Sequence, residues 1–150
     1  MMFLLCLTAH AGGWALTDQH GEHFAQTETH GKWVLVNFWA PWCPACLQEM
    51  PDLVSLQQRR QSLQVIGVAV MYRARQNVTE IEHEAHLNYP VVMGNEDIAS
   101  DFGSMRGLPT SYLYGPDGKL VAKYDGSVPI TDVERRLDAE HAPDEMRGNQ

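Results

Sequence analysis

The sequence predicts a single α/β domain, and three observations carry that reading. The chain has 150 residues, the length of one domain of ordinary size. Hydrophobic residues make up 44% of it and charged residues 20%, a balance that suits a packed core and argues against a disordered chain. Short β-branched apolar runs alternate with segments of helical period, and no linker, repeat or second core interrupts them. A chain of this size buries roughly 68–70% of its unfolded surface, so it needs no metal or disulfide staples to fold.

The elements follow in order. Trp14, Leu16 and Phe24 flank the turn-prone Asp18-Gln19-His20-Gly21, which reads as a small edge hairpin. Val34 to Trp39 is a continuous apolar run suited to a central strand covered on both faces. From Pro44, the residues Leu47, Met50 and Val54 recur at helical spacing to about Arg60, with Pro51 expected to kink that helix. Leu63 to Met71 is a second buried strand. Asn77 and Glu80 have the spacing of a capping box and predict a helix start there, with Val78, Ile81 and Ala85 as its apolar face. Tyr89 to Met93 reads as a short strand, and Ile98, Ala99 and Phe102 mark a short helix. Thr110 to Tyr114 and Lys119 to Tyr124 are strands joined by the turn Gly115-Pro116-Asp117-Gly118. Thr131 with Glu134 is expected to cap a last helix carrying Ile130, Val133 and Leu137.

The ends read differently. Met1 to Ala11 is apolar and closes on Ala9-His10-Ala11, the pattern of a secretory cleavage site, although it is short and lacks a basic start. The expectation is a truncated signal segment at 1–11; an extra strand or a frayed terminus is the alternative. Cys6 has no small residues just before it, so a lipid anchor there is disfavoured. The folded domain is then expected over 12–141, with a frayed tail at 142–150.

Charge and cysteine usage narrow the function. Eleven Lys and Arg against 19 Asp and Glu give a formal net charge of −8, which repels phosphate backbones and anionic lipid surfaces. No apolar run approaches the ~20 residues of a membrane-spanning helix. Three cysteines are too few for a disulfide scaffold.

Two of those cysteines, Cys43 and Cys46, lie two residues apart where a buried strand turns into a helix. A helix N-terminus favours negative charge, which lowers a thiol pKa below the ~8.5 of a free cysteine. Cys43 is therefore the expected nucleophile, exposed and alkylated first. Cys46 neighbours it one turn on and can resolve a mixed disulfide. Pro44 suits the first helical turn. Zinc would want four ligands, and the sequence has no second Cys-x-x-Cys and no Cys-His cluster to supply them. A purely structural disulfide over so short a loop would constrain the unfolded chain little.

VLVNFWAPWCPACLQEMP followed by GLPTSYLYGPDGKL resembles the TlpA/ResA-like thioredoxin-fold family of bacterial envelope thiol–disulfide oxidoreductases, over about Trp14 to Leu137. The resemblance implies a thioredoxin-like fold: a central mixed sheet flanked by helices, with an N-terminal hairpin and an inserted strand–helix element. It implies a disulfide reductase that needs no cofactor, with Cys43 attacking and Cys46 resolving. Leu108-Pro109 would be a cis peptide packed against the pair, with Leu108 offering backbone to an extended client. Trp42, Pro44 and Ala45 would contact that client. Cytoplasmic thioredoxins carry an aspartate at the place of Asn37, and an asparagine cannot accept a proton as that carboxylate does. Glu49, one turn beyond Cys46, is the candidate for proton handling. The implied partners are a client disulfide and an upstream envelope reductant, with the chain acting as a monomer in the periplasm or envelope. A copper-handling module built on Cys43 and Cys46 is the alternative. A peroxidase is disfavoured, because peroxiredoxin-like chains have threonine where this one has Cys43. His83 and His86 read as a solvated face, Met71, Met93 and Met105 as packing, and Arg106 as a client contact or a surface ion pair.

Overall fold

Parity along one strand organises the molecule. In the computed structural model, which describes residues 13–140, β3 (Trp33–Trp39) is buried along its whole length. Its even-numbered residues Val34, Val36 and Phe38 pack in one apolar cluster, with Trp14, Leu16, Phe102 and Tyr112. Its odd-numbered Trp33 and Leu35 pack in another, with Leu53, Leu56 and Leu137. Alternation of side chains along a strand makes that division. Asn37 is odd-numbered, so it faces the second layer.

The remaining elements build out from β3. A hairpin of β1 (Ala15–Thr17) and β2 (His23–Ala25) stands apart as a two-stranded sheet. After β3 come α1 (Pro44–Arg59), β4 (Leu63–Ala69), α2 (Arg75–Glu84), β5 (Val91–Met93) and α3 (Glu96–Ser100). β6 (Thr110–Tyr114), β7 (Leu120–Asp125) and α4 (Ile130–Glu140) complete the order. The main sheet runs β5-β4-β3-β6-β7. β4 is parallel to β3 and to β5, whereas β6 is antiparallel to β3 and to β7. This is the expected mixed sheet with its N-terminal hairpin, and β5 with α3 supplies a strand and a helix ahead of β6.

Several boundaries differ from the sequence reading, each for a local reason. α2 starts at Arg75, not at Asn77; Asn77 is the third helical residue, and its side chain accepts from the Ala74 N–H at 3.2 Å. α4 starts at Ile130, so Thr131 is inside the helix and does not cap it; the Pro129 carbonyl accepts from the N–H of Asp132 and Val133 instead. β4 ends at Ala69 because the chain turns at Met71, whose φ is +53°. β5 begins after Pro90, which has no N–H to give a ladder. The helical assignment of α1 continues across Pro51. The expectations for 1–11, for Cys6 and for 142–150 lie outside the described residues.

Gly67 of β4 lies in register with Asn37. A Cβ there would come 3.2 Å from both the Trp39 Nε1 and the Tyr89 ring, so the small residue lets both aromatic rings close over the strand.

Candidate active site

β3 ends at Trp39, and Ala40-Pro41-Trp42 carries the chain to α1. Cys43 is the N-cap of that helix, in extended backbone, and its sulfur accepts from the Cys46 N–H at 3.3 Å. Pro44 takes the first helical position, where its missing N–H costs nothing. The first turn of α1 contains no acidic residue, so nothing there opposes a negative sulfur at the N-terminus. Cys43 and Cys46 form a disulfide, with their Cα atoms 5.3 Å apart.

Both cysteines are buried: Cys43 is 4% exposed and Cys46 1%. The expectation of an exposed Cys43 therefore fails. Its neighbours, not its own position, reach solvent: Trp42 is 59% exposed, and Pro44 and Ala45 are exposed beside it. The Trp42 Nε1–H donates to the Met71 carbonyl at 3.0 Å. Met71, read from sequence as packing, is 70% exposed and holds a left-handed backbone; the packing expectation fails for it. Met71, Met105, Arg106 and Leu108 line a mostly apolar groove of about 590 Å³. Leu108 packs against the cluster that contains both cysteines, and the Leu108–Pro109 peptide is cis. The Pro109 carbonyl accepts from the Gly126 N–H at 2.8 Å.

Glu49 is 6% exposed and its carboxylate is fully engaged. Asn37 Nδ2 donates to Oε1 at 2.7 Å, and the Val128 N–H donates to Oε2 at 2.8 Å. Burial pushes the Glu49 carboxyl above the ordinary carboxylate range; the bonds from Val128 and Asn37 pull it back in part, and nearby Asp52 adds to the rise. Burial also raises the Tyr89 hydroxyl, with the Glu49 charge as a second cause.

The structure holds Cys43, Cys46 and Leu108 in one apolar cluster, with Trp42 next to Cys43 in the chain and Glu49 one turn beyond Cys46 on α1. Sequence reasoning missed Ser111, whose Oγ accepts the second Asn37 N–H at 2.9 Å, and Val128, which acts through its backbone. Pairing of β3 with β6 could have pointed to Ser111; no residue signature marks a backbone donor. His83 and His86 are exposed, with ring centroids 6.4 Å apart. Among the described residues, no group of three or more His, Cys, Asp or Glu is placed to hold a metal ion. Among those same residues, no helix is long and apolar enough to cross a membrane.

A mixed sheet that delivers a Cys-x-x-Cys pair to a helix N-terminus beside a cis-proline loop defines a thiol–disulfide oxidoreductase. The chain belongs to the AhpC/TSA family, whose model matches residues 8–123. It is 28% identical over 131 residues to the thiol-disulfide oxidoreductase ResA of Geobacillus thermodenitrificans, covering 86% of this chain and 75% of that protein. To the ResA of Bacillus cereus it is 30% identical over 117 residues, covering 77% and 68% respectively. A solved structure of a thiol:disulfide interchange protein of the thioredoxin family, from Chlorobium tepidum TLS, superposes with a TM-score of 0.73. That structure is 27% identical, over 86% of this chain and 93% of the other. The fold is thioredoxin-like, and the activity is thiol–disulfide exchange with protein partners.

Proposed function

We propose that the chain is a disulfide reductase of the bacterial envelope, working as a monomer and kept reduced by another envelope thiol protein. The Cys43 thiolate attacks a client disulfide; a Cys43–client bond forms, and the other client sulfur leaves as a thiolate. Cys46 then gives up its proton and attacks the Cys43 sulfur, releasing the second client thiolate and closing the Cys43–Cys46 disulfide. Two electrons pass from the dithiol to the client, and the upstream reductant restores them. Trp42, Pro44, Ala45 and Leu108 form the client-facing rim, and Pro109 shapes its floor. The A-x-A ending at Ala11 supports export.

The observation that carries the exchange chemistry is the Cys43–Cys46 pair at the N-terminus of α1, and it is supported by Glu49, a buried carboxyl with a raised pKa one turn beyond Cys46. A carboxyl raised toward the working pH is suited to take the Cys46 proton in the resolving step.

Trapping tests it. Cys46→Ala should accumulate mixed disulfides with clients through Cys43, because nothing remains to resolve them. Mass mapping of the reduced wild type should find Cys43 alkylated before Cys46, its advantage coming from the helix N-terminus and not from exposure. A folded Cys46→Ala variant that captures no client in envelope extracts would defeat the reductase reading.

A further inference from the structure

We propose that Asn37, backed by Ser111, is the positioning residue that lets buried Glu49 hold or release a proton with its hydrogen bonds kept. The inference deepens the proton-handling reading of Glu49 and rests on it.

The geometry is closed on several sides. Asn37 of β3 is 1% exposed and Ser111 of β6 is fully buried, and the two are direct partners across the antiparallel ladder. Directly opposed residues present their side chains on the same face. One Asn37 amide hydrogen points to Glu49 Oε1 at 2.7 Å and the other to Ser111 Oγ at 2.9 Å. The Val128 N–H occupies Oε2 at 2.8 Å. An ionised Glu49 accepts at both oxygens, and this arrangement matches it.

Protonation changes what Oε1 needs. If Oε1 carries the proton it becomes a donor, and it would then face another donor, Asn37 Nδ2. The two ends of an amide are nearly the same size and have opposite polarity. A half-turn of the Asn37 amide presents Oδ1 to Glu49 and to Ser111 together. The Glu49 O–H can then donate to Oδ1, and the Ser111 hydroxyl, which both donates and accepts, can turn its own hydrogen the same way. The Val128 bond is kept in both states. An aspartate at position 37 could not do this, since two carboxylates at this distance must share one proton. The asparagine that stands where thioredoxins carry an acid is then the partner that a displaced acid requires.

The titratable groups around Glu49 are Asp52 on its own helix and Tyr89 ahead of β5, while Cys46 is held in the disulfide. β3, β6 and the loop before α4 contribute Asn37, Ser111 and the Val128 N–H, all neutral. Removing the Asn37 donor should therefore favour the protonated acid.

The test follows the Glu49 carboxyl carbon by NMR across pH in the full chain, assigned by its loss in Glu49→Gln. Asn37→Ala should move the Glu49 midpoint up by roughly one pH unit, because the bond lost from the carboxylate is about twice as strong as the one lost from the neutral acid. The Asn37 side-chain amide resonance of the wild type should shift with the same midpoint. Asn37→Asp, which keeps the shape if Asn37→Ala fails to fold, should hold one shared proton at neutral pH and titrate in two separated steps. An Asn37→Ala midpoint within a few tenths of wild type would overturn the inference, and so would two Asn37→Asp carboxyls that both titrate near ~4. A shifted midpoint with an unchanged reductase rate would uphold Asn37 and remove Glu49 from the proton path, so the two readings fail separately.

Discussion

The two ends of α1 both reach toward α4 through carboxylates, and they do so under opposite conditions. Near its N-terminus, Glu49 is buried and accepts from Asn37 and from the Val128 N–H just ahead of α4. At its C-terminus, Arg59 and Arg60 meet Glu134, and Arg60 also meets Asp138, among partly exposed side chains. Both clusters satisfy a carboxylate and both fix the same helix. Water separates them. The buried carboxyl is pushed above its ordinary range by desolvation, whereas Glu134 is pulled below it, chiefly by its bond from Arg59. The carboxyl proposed to exchange a proton sits where its charge is costly, and the carboxyl that pairs with the arginines sits where its charge is comfortable.

The sharpest break between the two ends is catalytic. Glu49→Gln should slow the resolving step by roughly 10²–10⁴-fold, the usual worth of general acid–base help, and leave the alkylation rate of Cys43 nearly unchanged. Arg60→Ala should change neither rate. Single-turnover release of client from the Cys43 mixed disulfide reads the resolving step directly. In the double variant Asn37→Asp with Glu49→Gln, the amide and the acid exchange places while the hydrogen bonds can persist. The introduced glutamine amide can accept from the Val128 N–H and donate to the introduced aspartate. That variant should recover part of the lost rate. Equal resolving rates for wild type and Glu49→Gln across neutral pH would reduce Glu49 to a structural carboxyl.

How much of this was legible in the sequence follows the range of the interactions. The Cys43/Cys46 pair, the strand before it and the Leu108-Pro109 loop are local patterns, and they stand where the sequence put them. Glu49 was legible because it lies one turn from Cys46 on the same helix. Its burial was not, since that depends on Val128 arriving from a loop 79 positions away along the chain. Ser111 needed the β3–β6 register, which a single sequence does not fix. The misplaced helix starts have one cause. Asn77 has capping chemistry, yet it sits inside the first turn and reaches back to Ala74. Thr131 sits inside the turn that Pro129 opens. Composition marks where a cap can form, while the preceding backbone decides where the helix begins. Met71 escaped for a different reason: its exposure follows from a left-handed turn at a non-glycine residue, a conformation that sequence disfavours.

A second difference between the ends of α1 is the slope of stability with pH. Glu49 has a raised folded-state pKa, so the folded chain binds more protons than the unfolded one between the ordinary value of 4.5 and the folded value. Its contribution is greatest below that window and is lost as pH rises through it. Glu134 has a lowered folded-state pKa, so its contribution is present above 4.5 and is lost as pH falls through the folded value. Glu49→Gln should therefore gain stability relative to wild type as pH rises toward neutrality. Glu134→Gln should lose stability at neutral pH and approach wild type in acid. Urea melts of the oxidised proteins at several pH values between about 3 and 8 would read the two slopes. The comparison breaks if the two variants change in the same direction with pH.

The smallest expected effect belongs to the exposed end itself. Arg60 bonds to Asp138 at 2.8 Å and to Glu134 at 3.3 Å, but the Asp138 side chain is 62% exposed. Solvent screens such pairs, and holding long side chains in one geometry offsets part of the attraction, so each is worth about 0.2–1 kcal/mol. Arg60→Ala removes both pairs and should accordingly cost no more than about 2 kcal/mol at low salt. That cost should shrink further at molar salt, where the screening length falls to about 3 Å. The Glu49–Asn37 bond, held in the core, should keep its worth under the same salt. A double-mutant cycle of Arg60 with Asp138, set beside one of Glu49 with Asn37 at low and high salt, separates the two ends by their response to screening. A coupling at Arg60–Asp138 that persists undiminished in molar salt would mean that this end is shielded from water too, and the contrast between the two ends of α1 would fail.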